Sequence, residues 1–288
     1  LYLLKYDSVY GTFPRALSLD KGMLEVNGKQ IRCFSEPEPS LLPWNELKVD
    51  VVLECTGKFT GHTAAHKHIE AGAKKVILST TGDEQTPLMI FGYNHQTLDR
   101  NSWILSPGGC MTNCSAPVLD VLSSRAEIHS VHINFLHSYT SRQELIDAPN
   151  QQFRRGRAAA ESIIPVEIDQ AVTLERLFPE LKGKLATLST RVPVANGALA
   201  DISVVLNKSI STKEWNELFK AAAVGKYKGV LDCSYDPVVS IDMRGNNHSC
   251  IVDTTLTSVV GNHLKLMVWF DNETGFTSRV IDWLEYIG

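Results

Sequence analysis

Residues 50–57, Asp50-Val-Val-Leu-Glu-Cys-Thr-Gly57, read as a buried strand that runs into a glycine turn. A helical stretch from His62 to Ala71 follows, stopped by Gly72, and a second strand is expected over Lys75 to Ser79. Strand, helix and strand in so short a span require a right-handed crossover and hence parallel pairing. That is the grammar of a doubly wound sheet, whose ligands sit at the carboxyl ends of its strands. Thr56, Gly57 and Ser79 lie at two such ends, although position alone fits ordinary turn residues equally well.

Beyond Cys114 the texture changes to segments rich in β-branched residues. Strands are expected over Ile128 to Leu136, Leu185 to Val192, Ala198 to Leu206, Val238 to Met243, Cys250 to Thr257 and His263 to Phe270, mostly antiparallel. Ser211-Thr-Lys-Glu214 has the form of a capping box, and Gly225 closes the helix that it opens. Phe276, Val280, Trp283, Leu284 and Ile287 recur at helical spacing, so the last segment is expected to dock on a core.

With 288 residues and 43% apolar content the chain can bury a large core, and its length points to two domains. In the absence of repeats or a long polar linker these domains are expected to pack closely. The formal charge of −4 comes from interspersed signs, so no basic face favours nucleic acid or an anionic membrane, and a small soluble ligand is the better expectation. The apolar run Leu264 to Phe270, interrupted by Lys265, falls far short of the roughly 18 residues of a membrane-spanning helix. The cysteines, at 33, 55, 110, 114, 233 and 250, lack the density of a disulfide scaffold, so reduced thiols in a cytoplasmic protein are expected. The opening LYLLKYDSVYGTF reads as starting within a domain.

The chemistry concentrates in Ser106-Pro-Gly-Gly-Cys-Met-Thr-Asn-Cys114. A closed zinc site needs four ligands and no second cysteine pair lies near, so no metal is expected. A disulfide across a helix start is strained. Cys114 falls among Ala116, Val118 and Leu119 and reads as core. Cys110 follows two glycines and precedes an apolar helix, where free N–H groups and the helix dipole lower a thiol pKa. Pro117 argues that this helix begins nearer Ser115. A nucleophile needs a base, and Ile128 to His137 carries three histidines on one strand. Alternation puts His137 on the inward face with Val131, Ile133 and Phe135, and His132 on the outward face with Ser130 and Asn134. His137 is therefore the candidate base, beside the plainer alternative of a structural buried histidine.

Ser106-x-x-x-Cys110-x-Thr112-Asn113-Cys114-x-x-Pro117 resembles the active-site signature of the glyceraldehyde-3-phosphate dehydrogenase family. The resemblance runs the whole length, through Leu4-Lys-Tyr-Asp-Ser8, Glu54-Cys-Thr-Gly57, Glu70 to Val76, Gly92-Tyr-Asn-His95, Arg157 to Pro165, Pro179 to Lys184, Arg191-Val-Pro193 and Trp269 to Glu273. Leu42-Pro-Trp44, Gln143 to Ala148, Ser162 to Val166 and Phe276 resemble the erythrose-4-phosphate dehydrogenase branch. The resemblance implies a Rossmann-like doubly wound dinucleotide domain over 1–109, a mostly antiparallel catalytic domain over 110–272, and a C-terminal helix, 273–288, docking back on the first. It implies NAD as cofactor, with NADP open, a phosphorylated aldose as substrate, and a homotetramer. The family's Gly-x-Gly-x-x-Gly turn is absent from this sequence, and the expectation is that it was left off rather than lost.

By the same resemblance Cys110 attacks the aldehyde, His137 takes the thiol proton, Asn272 binds the nicotinamide carboxamide, and Thr140 with Arg191 holds the substrate phosphate. Without the resemblance Asn272 is a turn residue and Arg191 a solvated or carboxylate-paired side chain. Several positions depart from the family pattern. Arg142 replaces a common threonine, Ile168-Asp169 stands for Thr-Gly, Gly109 and Met111 stand for serine and threonine, and Pro37 occupies a place often held by arginine near the adenine. A carboxylate at 169 repels inorganic phosphate, so the thioester is expected to be hydrolysed to an acid. The rival readings are a catalytically impaired member serving as a binding or regulatory protein, and a zinc-binding scaffold. An activated Cys110 is expected to be alkylated before the other five cysteines.

Overall fold

The computed structural model describes residues 1–99 and 101–288. Its first part holds an antiparallel meander of β1 (Leu17–Asp20), β2 (Met23–Val26) and β3 (Lys29–Arg32). Lys21 and Asn27 take positive φ at the two turns of this meander, which has no counterpart in the sequence reading. The strand-helix-strand unit forms as expected, with β4 (Val51–Glu54), α1 (His62–Glu70) and β5 (Lys75–Leu78), and a short β6 (Ile104–Leu105) extends the sheet. Both pairings, β4 with β5 and β5 with β6, are parallel.

The second part is built around α2 (Cys110–Arg125). The helix starts at Cys110 and not near Ser115, so the expectation drawn from Pro117 is corrected. Pro117 sits inside the helix, where it removes the bond that would reach the Asn113 carbonyl. The start is fixed instead by side chains: Gly109 N–H donates to Thr112 Oγ1 at 3.4 Å, and Asn113 Nδ2 donates to the carbonyls of Pro107 at 2.8 Å and Gly109 at 2.9 Å. Nearly every position from Thr112 to Leu122 is buried, as befits a helix enclosed on all sides.

Around α2 run β7 (Ile128–Ser138), β8 (Ile164–Val166), α3 (Gln170–Leu177), β9 (Leu185–Val192), β10 (Ala198–Leu206), α4 (Thr212–Val224), β11 (Leu231–Ser234), β12 (Cys250–Asp253), β13 (Ser258–Val260) and β14 (His263–Phe270). The strands form one sheet in the order β8-β9-β7-β10-β14-β12-β11, with β13 hung on β14. The ladders β9 with β7 and β11 with β12 are parallel, and the others antiparallel. The inward residues Val131, Ile133, Phe135, Ile202, Val204, Leu266 and Val268 meet Val118, Leu119 and Leu122 of α2 in the main core. Helix α4 is capped by Ser211, whose hydroxyl accepts from Glu214 N–H at 3.2 Å, and it buries Trp215 and Phe219 one turn apart.

Two strand expectations are corrected. Ser240–Met243 is a 3-10 turn, not part of a strand, because Asp242 folds back to accept the Val239 N–H at 2.8 Å. The strand from Cys250 ends at Asp253, whose carboxylate turns the chain by accepting from Thr255 N–H at 3.1 Å. The last helix, α5 (Thr274–Ile287), places Trp283 against Ile77, Met89 and Leu105 of the first part, so it closes the underside of the parallel sheet.

Candidate active site

Register builds the site. In the parallel ladder Arg191 lies directly across from His137, and in the antiparallel ladder Ala198 lies across from His137 on the other side. The histidine, 3% exposed, therefore points from the end of a central strand toward the start of α2. There Cys110 Sγ lies 3.7 Å from His137 Nε2. The expected pair is thus brought together, with His137 on the inward face and His132 exposed on the other. Cys114 is buried in the core, also as expected.

The other imidazole nitrogen is crowded. His137 Nδ1 lies 2.8 Å from the Ser138 carbonyl and 2.6 Å from Arg191 Nη1, which also donates to that carbonyl at 3.2 Å. Burial, followed by the Arg191 charge, lowers the His137 pKa to about 4. Burial pushes the Cys110 thiol up to about 11, although Arg191 and the backbone N–H groups of Met111 and Cys110 pull the other way. The helix-start donors expected at this sulfur are present, but desolvation outweighs them. Desolvation and the helix-start donors thus pull the Cys110 thiol in opposite directions.

Asn272 sits in a hydrogen-bonded turn after β14. Beside it the Asp271 carboxylate accepts from Gly245 N–H at 2.8 Å, Glu273 N–H at 2.8 Å, Thr274 N–H at 2.9 Å, Asn196 Nδ2 at 3.1 Å and the Tyr10 hydroxyl at 3.0 Å. The Asn272 Oδ1 in turn accepts from Gly197 N–H at 3.0 Å and the Ser138 hydroxyl at 3.2 Å. With Oδ1 engaged twice, the Nδ2 hydrogens are left for a ligand's acceptor, which fits the carboxamide role.

Thr56, Gly57 and Ser79 follow β4 and β5 at the carboxyl edge of the parallel sheet. Glu54 Oε1 accepts from Thr56 N–H at 2.7 Å and from the Thr56 hydroxyl, Gly57 has φ +69°, and Ser79 N–H donates to the Glu54 carbonyl at 3.0 Å. Thr140 lies two residues beyond β7, and its N–H and hydroxyl both engage Gln143 Oε1, at 2.9 and 3.0 Å. It shares no hydrogen bond with Arg191 among the described residues.

Sequence reasoning missed Arg155. It is buried, with Nη1 unpartnered among the described residues, as is Arg191 Nε. The Arg142 charge helps to lower the Arg155 pKa, after burial, and Arg155 and Arg142 do the same to Arg191. The run Arg154-Arg155-Gly156-Arg157 was the available signal. Arg142, Arg155 and Met111 also line a cavity of about 730 Å³ with Asp83, Glu84, Glu167 and Asp169. Gln170 anchors its wall to α2, donating from Nε2 to Thr112 Oγ1 at 3.0 Å.

Residues 109–272 match the family model of the glyceraldehyde 3-phosphate dehydrogenase C-terminal domain, and residues 1–62 match that of its NAD binding domain. The chain is 41% identical over 288 residues to glyceraldehyde-3-phosphate dehydrogenase 1 of Bacillus cereus, covering 99% of this chain and 86% of the relative. It is also 41% identical to glyceraldehyde-3-phosphate dehydrogenase of Geobacillus stearothermophilus, with the same coverage. Identity to the plasmid-encoded enzyme of Cupriavidus necator is 40%, covering 98% of this chain and 84% of the relative. The thiol at a helix start, the imidazole facing it and the asparagine beside them thus stand on a chain that belongs to the glyceraldehyde-3-phosphate dehydrogenase family.

Proposed function

We propose that this protein oxidises the aldehyde of a phosphorylated aldose, erythrose 4-phosphate or glyceraldehyde 3-phosphate, with NAD, through a thioester on Cys110. The observation that carries the reading is the 3.7 Å approach of Cys110 Sγ to His137 Nε2 at the start of α2. The thiol proton passes to Nε2 and the sulfur adds to the aldehyde carbon, giving a hemithioacetal. The Cys110 backbone N–H and the protonated imidazole stabilise the oxyanion. NAD bound at the carboxyl edge of the parallel sheet would supply the hydride acceptor, and Cys110 would then carry the acyl group as a thioester. Asn272 offers Nδ2 to the nicotinamide carboxamide, and Thr56, Gly57 and Ser79 border the dinucleotide at the carboxyl ends of the parallel strands. Arg191 and Thr140 hold the substrate phosphate, for which a guanidinium fork is suited.

The division expected from the sequence fits this reading: 1–109 with the helix of 273–288 for the dinucleotide, 110–272 for the chemistry. The packing of Trp283 under the parallel sheet supports it. A homotetramer is the proposed assembly, supported by the exposed apolar side chains Leu145, Ile146, Phe153 and Ile163 on the loops around 141–165. No helix among the described residues is long and apolar enough to cross a membrane, and the cytoplasm is the proposed location.

The deciding experiment is a panel of aldose phosphates, with NAD and then NADP, following reduced nicotinamide. Turnover that vanishes in Cys110→Ser supports the proposal, and the relative kcat/KM of the two aldoses assigns the branch. An intact protein with no hydride transfer to any substrate leaves the binding or regulatory reading standing.

A further inference from the structure

Glu54 ends β4 with a buried carboxylate that no lysine or arginine pairs with among the described residues. Hydrogen-bond donors hold it instead. His68 of α1, also buried, directs Nε2 at Glu54 Oε2 from 3.0 Å, while Oε1 accepts from the Thr56 N–H at 2.7 Å and from the Thr56 hydroxyl. On the other side of the ring Trp44 Nε1 lies 3.0 Å from His68 Nδ1. An indole N–H only donates, so Nδ1 is the acceptor and the proton of the ring sits on Nε2, aimed at Glu54. The donors therefore run in one direction, from Trp44 through His68 to Glu54, and the carboxylate receives them at both oxygens. The turn at its far end depends on this. Residues 55–57 are exposed, none of them belongs to a hydrophobic cluster, and Gly57 takes φ +69°, so hydrogen bonds shape the turn where packing does not.

We propose that His68 is a positioning residue for the dinucleotide: by donating to Glu54 from beneath the surface, it fixes the carboxylate that shapes the Thr56–Gly57 turn and so sets the affinity for NAD. The inference rests on the reading of that turn as a border of the dinucleotide site. Attachment of α1 to the sheet does not require the polar chain, because Ala65 and Ile69 already pack with Val52, Val76 and Leu78. Buried hydrogen-bonded pairs stabilise a fold little better than apolar groups of the same shape, so their use here points to a task beyond adhesion. The chain ends at the carboxyl edge of a parallel sheet, where ligands of such sheets bind. If Nε2 were withdrawn, Oε2 would be left buried without a donor, and the carboxylate would turn toward water and carry Thr56 with it.

The test compares two substitutions in the full chain that each delete one hydrogen bond. Glutamine carries its amide nitrogen as many bonds from Cα as histidine carries Nε2, so His68→Gln keeps the donor to Glu54 and gives up the acceptor for Trp44. Asparagine can place its carbonyl oxygen where Nδ1 stands, so His68→Asn keeps that acceptor and gives up the donor. Melting temperatures are expected to fall alike. The dissociation constant for NAD, measured by calorimetry, is expected to rise about tenfold in His68→Asn, the worth of one hydrogen bond to a charged group, and by less than about threefold in His68→Gln. Exchange of the Thr56 amide hydrogen in the unliganded protein is expected to quicken in His68→Asn and to stay near its original rate in His68→Gln. Should His68→Asn fail to fold, Glu54→Gln keeps the shape with a single acceptor oxygen for donors on two sides, and it is expected to lose both NAD affinity and Thr56 protection. A purely structural histidine predicts NAD affinity that follows melting temperature in both His68 variants. That result, or unaltered NAD affinity in His68→Asn and Glu54→Gln, overturns the proposal. Absence of NAD binding in the unsubstituted protein sinks the dinucleotide reading and this inference with it, whereas NAD binding that ignores the variants sinks this inference alone.

Discussion

The Ser138 hydroxyl donates to Asn272 Oδ1 at 3.2 Å, tying the strand that carries the histidine to the turn after β14. Gly197 N–H uses the same oxygen at 3.0 Å. Asn272→Asp keeps that acceptor and loses the Nδ2 donors, so thermal stability should hold while the KM for NAD rises about tenfold, the worth of one hydrogen bond near the upper end of its range. Asn272→Ala strands both donors and should lower stability by about 1–3 kcal/mol. Denaturation and cofactor titration of the two variants separate the roles.

Acid should weaken the fold through His137. Its pKa falls from 6.5 to about 4 on folding, so between those values the unfolded chain binds a proton that the native chain refuses. Its contribution is complete above pH 6.5, is lost as pH falls, and levels off below about 4. The ceiling is on the order of 3 kcal/mol. Urea midpoints measured across this window should drop with pH in the unsubstituted protein and less steeply in His137→Gln.

With saturating aldose phosphate, added inorganic phosphate should leave turnover unchanged, and the product should be a carboxylate. Glu167 and Asp169 line the cavity beside Met111, where they offset the charges of Arg142, Arg155 and Arg176 and so disfavour a second anion. A Cβ at Gly109 meets nothing within 4 Å, so Gly109→Ser combined with Asp169→Gly adds a hydroxyl and removes a charge without strain at 109. That pair should introduce dependence on inorganic phosphate. Accumulation of an acyl phosphate with the unsubstituted protein would refute this account.

Gly108 has φ +73°, and a Cβ there would come 2.9 Å from Ile90 Cδ1 and 3.1 Å from Thr112 Cβ. Gly108→Ala should cost at least about 1–2 kcal/mol, the left-handed penalty alone, and displace the nucleophile. A lower melting temperature together with a reduced kcat is the expected result.

Much of this was legible in the chain. The bounds of β9, β10 and β14 follow from runs of β-branched and aromatic residues, and the orientation of His137 follows from period two. The segment from 238 to 243 alternates like a strand, yet Asp242 closes a turn on Val239, because a local side-chain bond competes with a ladder. The helix start was hidden because Pro117 signals a first turn, whereas Asn113 and Thr112 do the anchoring. The pairing of Arg191 with His137 depends on a parallel register between β9 and β7, two strands with β8 and α3 between them in the chain, and no local pattern encodes it. The raised thiol pKa was equally out of reach, since it comes from burial by residues distant in sequence.

Trp283 fills the space beneath the parallel sheet from a helix distant in sequence. The parallel strands therefore complete their core only with a side chain that follows the whole antiparallel sheet in sequence, a long-range closure of the kind that forms late in folding.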